Sequence, residues 1–193
     1  MVQVKKKLVE QAIVDSAYDL FSERGYNRTT LQDIADRAGT GVSSVYSYFP
    51  SKLHILYAVM EPWHKDAFGR LEKRVRGAKT PRAKLRTLLL GVWRDIPTEN
   101  IQLANSLMEA LATADPAQPK PVPLLKWVEE KVAAMIAAAL ASDGRRLDHE
   151  AISTVLLMAY DGFVINRRLN DLRDIERLSD AMCDILLRAR ATE

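Results

Sequence analysis

The chain has 193 residues, 48% of them apolar, with 28 Lys and Arg, 25 Asp and Glu and a formal charge of +3. That apolar share excludes a disordered tail, no run reaches the roughly 18 uninterrupted apolar residues of a membrane span, and a single cysteine, Cys183, excludes an internal disulfide and a cysteine-built zinc cluster. The charge excess lies wholly in residues 1–76, with 12 Lys and Arg against 9 Asp and Glu, while residues 77–193 carry 16 of each; this agrees with a polyanionic partner without establishing one.

Alanine and leucine dominate, and β-branched residues rarely alternate with polar ones, so an all-α fold is expected. The basic start, Lys5-Lys6-Lys7, has no apolar h-region behind it and does not read as a secretory signal. A cytoplasmic protein with no membrane partner is expected. A first helix is predicted from about Lys7 to Arg24, with Leu8, Ala12, Ile13, Ala17, Leu20 and Phe21 on one face and Gly25 ending it. Thr30-Leu31-Gln32-Asp33 reads as a capping box opening a short second helix, in which Ile34, Ala35 and Ala38 face inward and Gly39 stops the run. A third short helix is predicted over about Val42 to Tyr48. Phe49-Pro50 breaks it, and Ser51 caps a fourth, in which Pro62 predicts a kink or break.

Short helices joined by the turn Ala38-Gly39-Thr40-Gly41 form a helix-turn-helix pattern. Spacing alone leaves two readings open: a DNA-binding unit, or an ordinary helical hairpin in some other α-protein.

Further along, Thr80-Pro81 caps and opens a helix to about Asp95, and Pro97-Thr98 opens another to about Ala114. The stretch from Asp115 to Pro123 holds four prolines, Pro116, Pro119, Pro121 and Pro123, and reads as loop. A helix of about Leu124–Ala141 closes at Ser142-Asp143-Gly144. Asp148 caps another to about Leu169, and a last helix covers about Asp174–Ala191.

The segment Ala17…Phe21…Gly25-Tyr26…Thr29-Thr30…Asp33-Ile34-Ala35…Ala38-Gly39…Tyr46-Ser47-Tyr48-Phe49-Pro50-Ser51-Lys52…Leu56 resembles the signature of the tetracycline-repressor (TetR) family of bacterial transcriptional regulators. The likeness covers about a quarter of the chain. It departs from the family at the turn, where Gly39-Thr40-Gly41 replaces the usual Gly-Val-Ser, and at Ser43, where a glycine is common. The resemblance implies a three-helix DNA-binding domain over residues 1–52 and a larger ligand-binding and dimerisation domain over residues 53–193, about nine helices in all.

It further implies a homodimer on a palindromic double-stranded DNA operator, with the third helix in the major groove of each half-site. Thr40, Val42, Ser43, Ser44, Ser47 and Tyr48 would then meet bases and phosphates, and Arg28, Thr30 and Lys52 would meet phosphates. Lys5–Lys7 are expected either to reach phosphates through a minor-groove arm or to form a solvated tail. Tyr46 and Phe49 are expected to be core wedges.

Broad apolar faces recur on the last two helices, one with Ile152, Val155, Leu156, Ala159 and Phe163, the other with Ile175, Leu178, Met182, Ile185, Leu186 and Ala189. In the family these helices pair across the dimer axis, which assigns Leu156, Ala159, Phe163, Leu178, Met182 and Ile185 to the interface; packing within one subunit is the other reading. Cys183 is expected to pack or lie at the surface rather than sense redox state. Between the two ends of the chain, Trp63, Phe68, Trp93, Met108, Trp127, Met135 and Met158 are bulky groups that line an apolar effector pocket or pack the core. The run Tyr48–Leu56 resembles repressors of steroid and fatty-acid breakdown within the family, which implies an acyl-CoA or sterol-derived effector.

Against catalysis, His54, His64 and His149 are scattered, and the chain has no phosphate-binding glycine loop, dinucleotide fingerprint or Gly-x-Ser-x-Gly elbow. An enzyme is not expected, nor is a cofactor or metal. The competing reading is a helical protein-interaction module of the same fold without specific DNA binding, which the departures at Gly41 and Ser43 favour.

Overall fold

The computed structural model describes residues 2–115, 117, 122–141, 147–171 and 173–188. Pro116, Pro119 and Pro121 of the expected loop, the stop at Ser142-Asp143-Gly144, Ala189 and Ala191, and the Lys5 side chain lie outside the described residues. The elements are α1 (Val2–Arg24), α2 (Leu31–Arg37), α3 (Val42–Tyr48), α4 (Lys52–Gly77), α5 (Pro81–Leu90), a π-helical turn (Gly91–Asp95), α6 (Ile96–Glu99), α7 (Ile101–Thr113), α8 (Val122–Leu140), α9 (His149–Arg168) and α10 (Ile175–Arg188). The fold of the described residues is all-α, as composition requires, and none of these helices is long and apolar enough to cross a membrane.

Two compact units divide the chain, Met1–Trp63 with Ile101–Leu124 and His64–Asn100 with Leu125–Glu193. In the first, Ile13, Ala17 and Phe21 of α1, Ile34 and Ala35 of α2, Val45 of α3 and Ile55 and Leu56 of α4 are fully enclosed. Burying each large side chain stabilises the unit by about 1.5–3 kcal/mol. Helix ends are set locally. Thr30 Oγ1 accepts from the Asp33 amide while the Asp33 carboxylate accepts from the Thr30 amide, a reciprocal cap on α2. Gly25 (φ 81°) and Gly39 (φ 64°) take the left-handed conformation that ends α1 and α2 without Cβ strain.

In the second unit α5 packs against α10, and the π-helical turn packs against α9. Leu85, Leu88 and Leu89 of α5, Val92 of the turn, Ile136 of α8, Leu156 of α9 and Cys183 of α10 form the core. Cys183 thus packs, as expected. Along the outer side of the α5–α10 seam runs a ladder of ion pairs: Arg82 with Asp184, Arg86 with Asp180 at 3.0 Å, and Arg94 with Glu176 at 3.0 Å.

Four local expectations need correction. α1 starts at Val2, so Lys6 and Lys7 stand on its first turns and not on an extended arm. Pro62 does not break α4; it is exposed on the helix, where solvent can take the carbonyl its ring frees. Pro97 stands in the first turn of α6, but that helix runs only to Glu99 and not to Ala114. The preceding π turn, closed by the Ile96 amide donating to the Gly91 carbonyl, widens the backbone enough to accommodate a residue without an N–H, and the break falls at Asn100. Pro123 belongs to the first turn of α8, a position that needs no amide donor.

Candidate nucleic-acid interface and ligand region

The α2–α3 pair is a helix-turn-helix whose outward face follows from what the core takes inward. On α3, Val45 is fully buried and Phe49 nearly so, which leaves Ser43, Tyr46 and Ser47 exposed. Three of the expected contacts, Val42, Ser44 and Tyr48, are half-buried at the edges of that face, and Thr40 is half-buried just before it. Tyr46, expected in the core, is 56% exposed. The period explains this: Val42, Val45 and Phe49 lie three, then four residues apart on the inner stripe, and Tyr46 sits one residue beyond that stripe, beside Ser43 and Ser47. It was legible in the sequence from Val42, Val45 and Phe49 alone. Phe49 is the inward wedge as expected.

Arg28 and Thr30 are both exposed before α2. Thr30 also donates its hydroxyl to the Asp33 carboxylate at 2.6 Å. These hydrogen bonds from Thr30, with the Arg24 guanidinium 2.8 Å away, hold the Asp33 carboxyl down at about 2. Arg37 grips Glu23 with both guanidinium nitrogens, at 2.7 and 3.0 Å, and braces α2 against α1. Lys52 is committed to the fold more than the sequence implied. Its ammonium donates to the carbonyls of Tyr26 (2.9 Å) and Thr29 (2.8 Å) and stands 4.0 Å from the Tyr26 ring centre, so two of its three N–H donors are used. Burial pushes its pKa down, while the Glu109 carboxylate opposes that shift.

Glu109 of α7 closes the same corner. It accepts from the Asn27 amide at 3.1 Å, and a Cβ on Gly25 would come within 3.1 Å of its Oε2. Sequence reasoning missed Glu109, since an acid on a distant helix carries no local signal. The α1–α2 turn is therefore tied down from α4 and α7, which fixes the angle at which α2 and α3 are presented. Lys6 lies over the Tyr48 ring at 5.9 Å, bringing an N-terminal charge to the end of α3.

The residues expected around an effector divide between the units. Trp63 (half-buried) and Met108 (buried) belong to the first. In the second, Phe68 is buried with its ring centre 6.4 Å from that of Trp127, edge to face, and Met135 lines a cavity of about 90 Å³ with Glu72, Val75 and Lys84. Trp93 is buried in the π turn, donates its indole N–H to the Leu156 carbonyl at 2.9 Å and packs on Phe163. Met158 stands 68% exposed, outside the interior where an effector-lining side chain would lie, and Leu156, expected at the dimer interface, is only 1% exposed within its own subunit. Residues two apart on a helix differ by about 200°, so one of this pair points out and the other in. Leu178 and Ile185 do face outward, Ile185 at 61% exposure, and are joined by Val155, Met158 and Ile165 of α9; Ala159, Phe163 and Met182 are half-buried.

The described residues thus hold a capped helix-turn-helix with a polar outer face. Residues 13–59 of the chain match the family of bacterial regulatory proteins, tetR family. Over 92 residues, 48% of this chain, it is 33% identical to the HTH-type transcriptional repressor KstR2 of Rhodococcus jostii, of which the stretch covers 45%. Over 144 residues, 75% of this chain, it is 26% identical to the HTH-type transcriptional repressor KstR of Mycobacterium tuberculosis, of which it covers 64%. The chain thus spans less than two thirds of either repressor. The fold matches the transcriptional regulator FadR from Bacillus subtilis, solved in complex with stearoyl-CoA, with a TM-score of 0.68 at 19% identity, over 93% of this chain and 98% of that one.

Proposed function

We propose that the protein is a sequence-specific transcriptional repressor that sits on a palindromic operator as a homodimer and leaves it when a small, apolar, lipid- or steroid-derived molecule binds. The observation that carries the reading is the outward face of α3, where Ser43, Tyr46 and Ser47 stand exposed on a helix whose position is fixed from α1, α4 and α7. Short hydroxyls and a flat phenol suit base edges and phosphates in the major groove, and Arg28 and Thr30 flank them with a cation and a helix N-terminus. The outward apolar residues of α9 and α10, Val155, Met158, Ile165, Leu178 and Ile185, supply the surface on which a second copy pairs, the symmetry that two half-sites about 34–36 Å apart require. The KstR and KstR2 repressors and the acyl-CoA-bound FadR support an effector of lipid or steroid origin. Release follows if that molecule binds one of two arrangements better than the other.

The test is selection of bound duplexes from a random library by the purified protein, then titration of the winner by fluorescence anisotropy at several salt concentrations. An enriched inverted repeat, bound by a dimer with an affinity that falls steeply with salt, supports the reading. A folded dimer that enriches nothing overturns it in favour of a protein-interaction module.

A further inference from the structure

Within the first unit, the turn between α1 and α2 is closed only partly by its own residues. The Thr29 amide donates to the Tyr26 carbonyl at 3.2 Å, and the buried Thr29 hydroxyl donates to the Gly25 carbonyl at 2.8 Å. The Asn27 amide finds its acceptor on α7, where Oε2 of Glu109, 82 positions along the chain, receives it at 3.1 Å. The absence of a Cβ at Gly25 leaves room for that carboxylate: a Cβ there would stand 3.1 Å from Oε2 and 3.5 Å from Oε1. Directly after Asn27 come Arg28 and then Thr30, the exposed residues proposed to meet phosphates. α7 is itself seated on α1, through the buried Ser106 hydroxyl donating to the Phe21 carbonyl at 3.4 Å.

The same carboxylate acts on Lys52. That ammonium donates to the Tyr26 and Thr29 carbonyls, on either side of Asn27, and the Glu109 charge favours its charged form against the burial that opposes it. One acid thus holds the turn twice, by a charge-assisted hydrogen bond to its backbone and by supporting the cation that grips it from α4. An acid in this place has a cost for a protein that meets DNA. Charges closer than the Debye length, about 10 Å at 0.1 M salt, are poorly screened, so a carboxylate beside phosphate-binding residues repels phosphate.

We propose that Glu109 is a positioning residue for DNA binding: through the Asn27 amide and the Lys52 ammonium it sets the turn that carries Arg28 and Thr30 to the phosphates. This role rests on the DNA-binding reading of α2 and α3. The sign of one substitution separates it from a purely electrostatic role. By charge alone, removing the acid tightens DNA binding; by positioning, removing it weakens binding.

The full-length wild type, Glu109→Ala, Glu109→Gln and Glu109→Asp are titrated by fluorescence anisotropy against the random duplex pool and any duplex selected from it, over a range of salt. Hydrogen exchange of the Asn27 amide is followed by NMR without DNA. Glu109→Ala is expected to bind about tenfold more weakly, the worth of one charge-assisted hydrogen bond, with a logarithmic salt slope shallower by about 1 for each copy bound as Arg28 leaves its phosphate. Its Asn27 amide should exchange about tenfold faster. Glu109→Gln keeps an oxygen that accepts from Asn27 and should recover most of both losses. Glu109→Asp keeps the charge one methylene short of Asn27 and should fall between, which carries the test if Glu109→Ala does not fold. A protein that is merely less stable loses binding amplitude at an unchanged slope. Affinity in Glu109→Ala equal to or tighter than wild type, an unchanged slope, or equal losses in the Ala and Gln variants overturns the role. If no duplex is selected, the repressor reading falls and the random pool still decides the role of Glu109; a wild type that binds no duplex at all sinks both.

Discussion

The two units are held by different kinds of interaction. In the first, the two seven-residue helices of the helix-turn-helix are positioned by local devices, the Thr30–Asp33 box and two left-handed glycines, and by the Lys52 and Glu109 ties to the α1–α2 turn. In the second, helix positions depend on side chains far apart in sequence, through tight packing of α4 on the π turn at Gly91 and an ion-pair ladder from α5 and the π turn to α10. A short helix presented at a fixed angle fits the proposed reading of DNA, and seams between helices that can shift against one another fit the proposed response to a ligand.

The largest effects should come from the cores. Phe21→Ala empties a fully buried site in the first unit and should destabilise it by about 3–5 kcal/mol in urea unfolding, with operator binding lost at temperatures where α2 and α3 still show helical dichroism. If binding survives, the core does not set the recognition angle. Gly91→Ala tests the other unit: its Cβ would lie 2.2 Å from Leu71 Cδ1, and overpacking there should destabilise by about 1–3 kcal/mol. A neutral result would mean that α4 and α5 yield readily and that the seam is looser than its packing indicates.

Thr30→Ala should cost about 1 kcal/mol, with Thr30→Ser recovering most of it. The loss has a pH signature. Because Asp33 is depressed from its ordinary 3.8 to about 2 by Thr30, its contribution is present above about pH 4 and lost as pH falls toward 2; in Thr30→Ala the stability curve should flatten over that interval, and the difference from wild type should shrink as pH falls. In the second unit the sign is opposite. Burial raises the Asp161 carboxyl from 3.8 to about 6, so the fold favours its neutral form and loses stability as pH rises through that interval. Asp161→Asn should therefore stabilise at pH 7, on the order of 1 kcal/mol after solvent screening, and flatten the curve between pH 4 and 6. The smallest effect belongs to the ladder. Arg86→Ala should shift stability by about 0.2–1 kcal/mol and, unlike Thr30→Ala, the difference should shrink in high salt. A loss that salt leaves unchanged would mean that the arginine stem, not its charge, holds α10 on α5.

Legibility followed the same division. The bounds of α3, the capping box at Thr30, the stops at Gly25 and Gly39 and the cap at Asp148 were all readable, because each is decided by residues within four positions of the helix end. The expectation of Tyr46 in the core fails, because Val42, Val45 and Phe49 form the inner stripe of α3 and turn Tyr46 outward. Sequence did not predict that Lys52 would spend two donors on carbonyls more than twenty residues away, or that Glu109 would clasp the Gly25–Asn27 turn. Nor did it order Leu156 and Met158, since both are apolar and either stripe of α9 satisfied the helical period.

By itself, then, the sequence determined that the chain is helical, where most helices stop, and that residues 13–59 form a helix-turn-helix of the TetR kind, because propensity, caps and turn glycines act over a few residues. Tertiary structure alone decided which apolar stripe of α9 faces the core and that the Pro97 region continues helically through a π turn. These depend on contacts between residues distant in sequence, such as the Trp93 indole donating to the Leu156 carbonyl of α9, the helix on which Leu156 is buried and Met158 exposed.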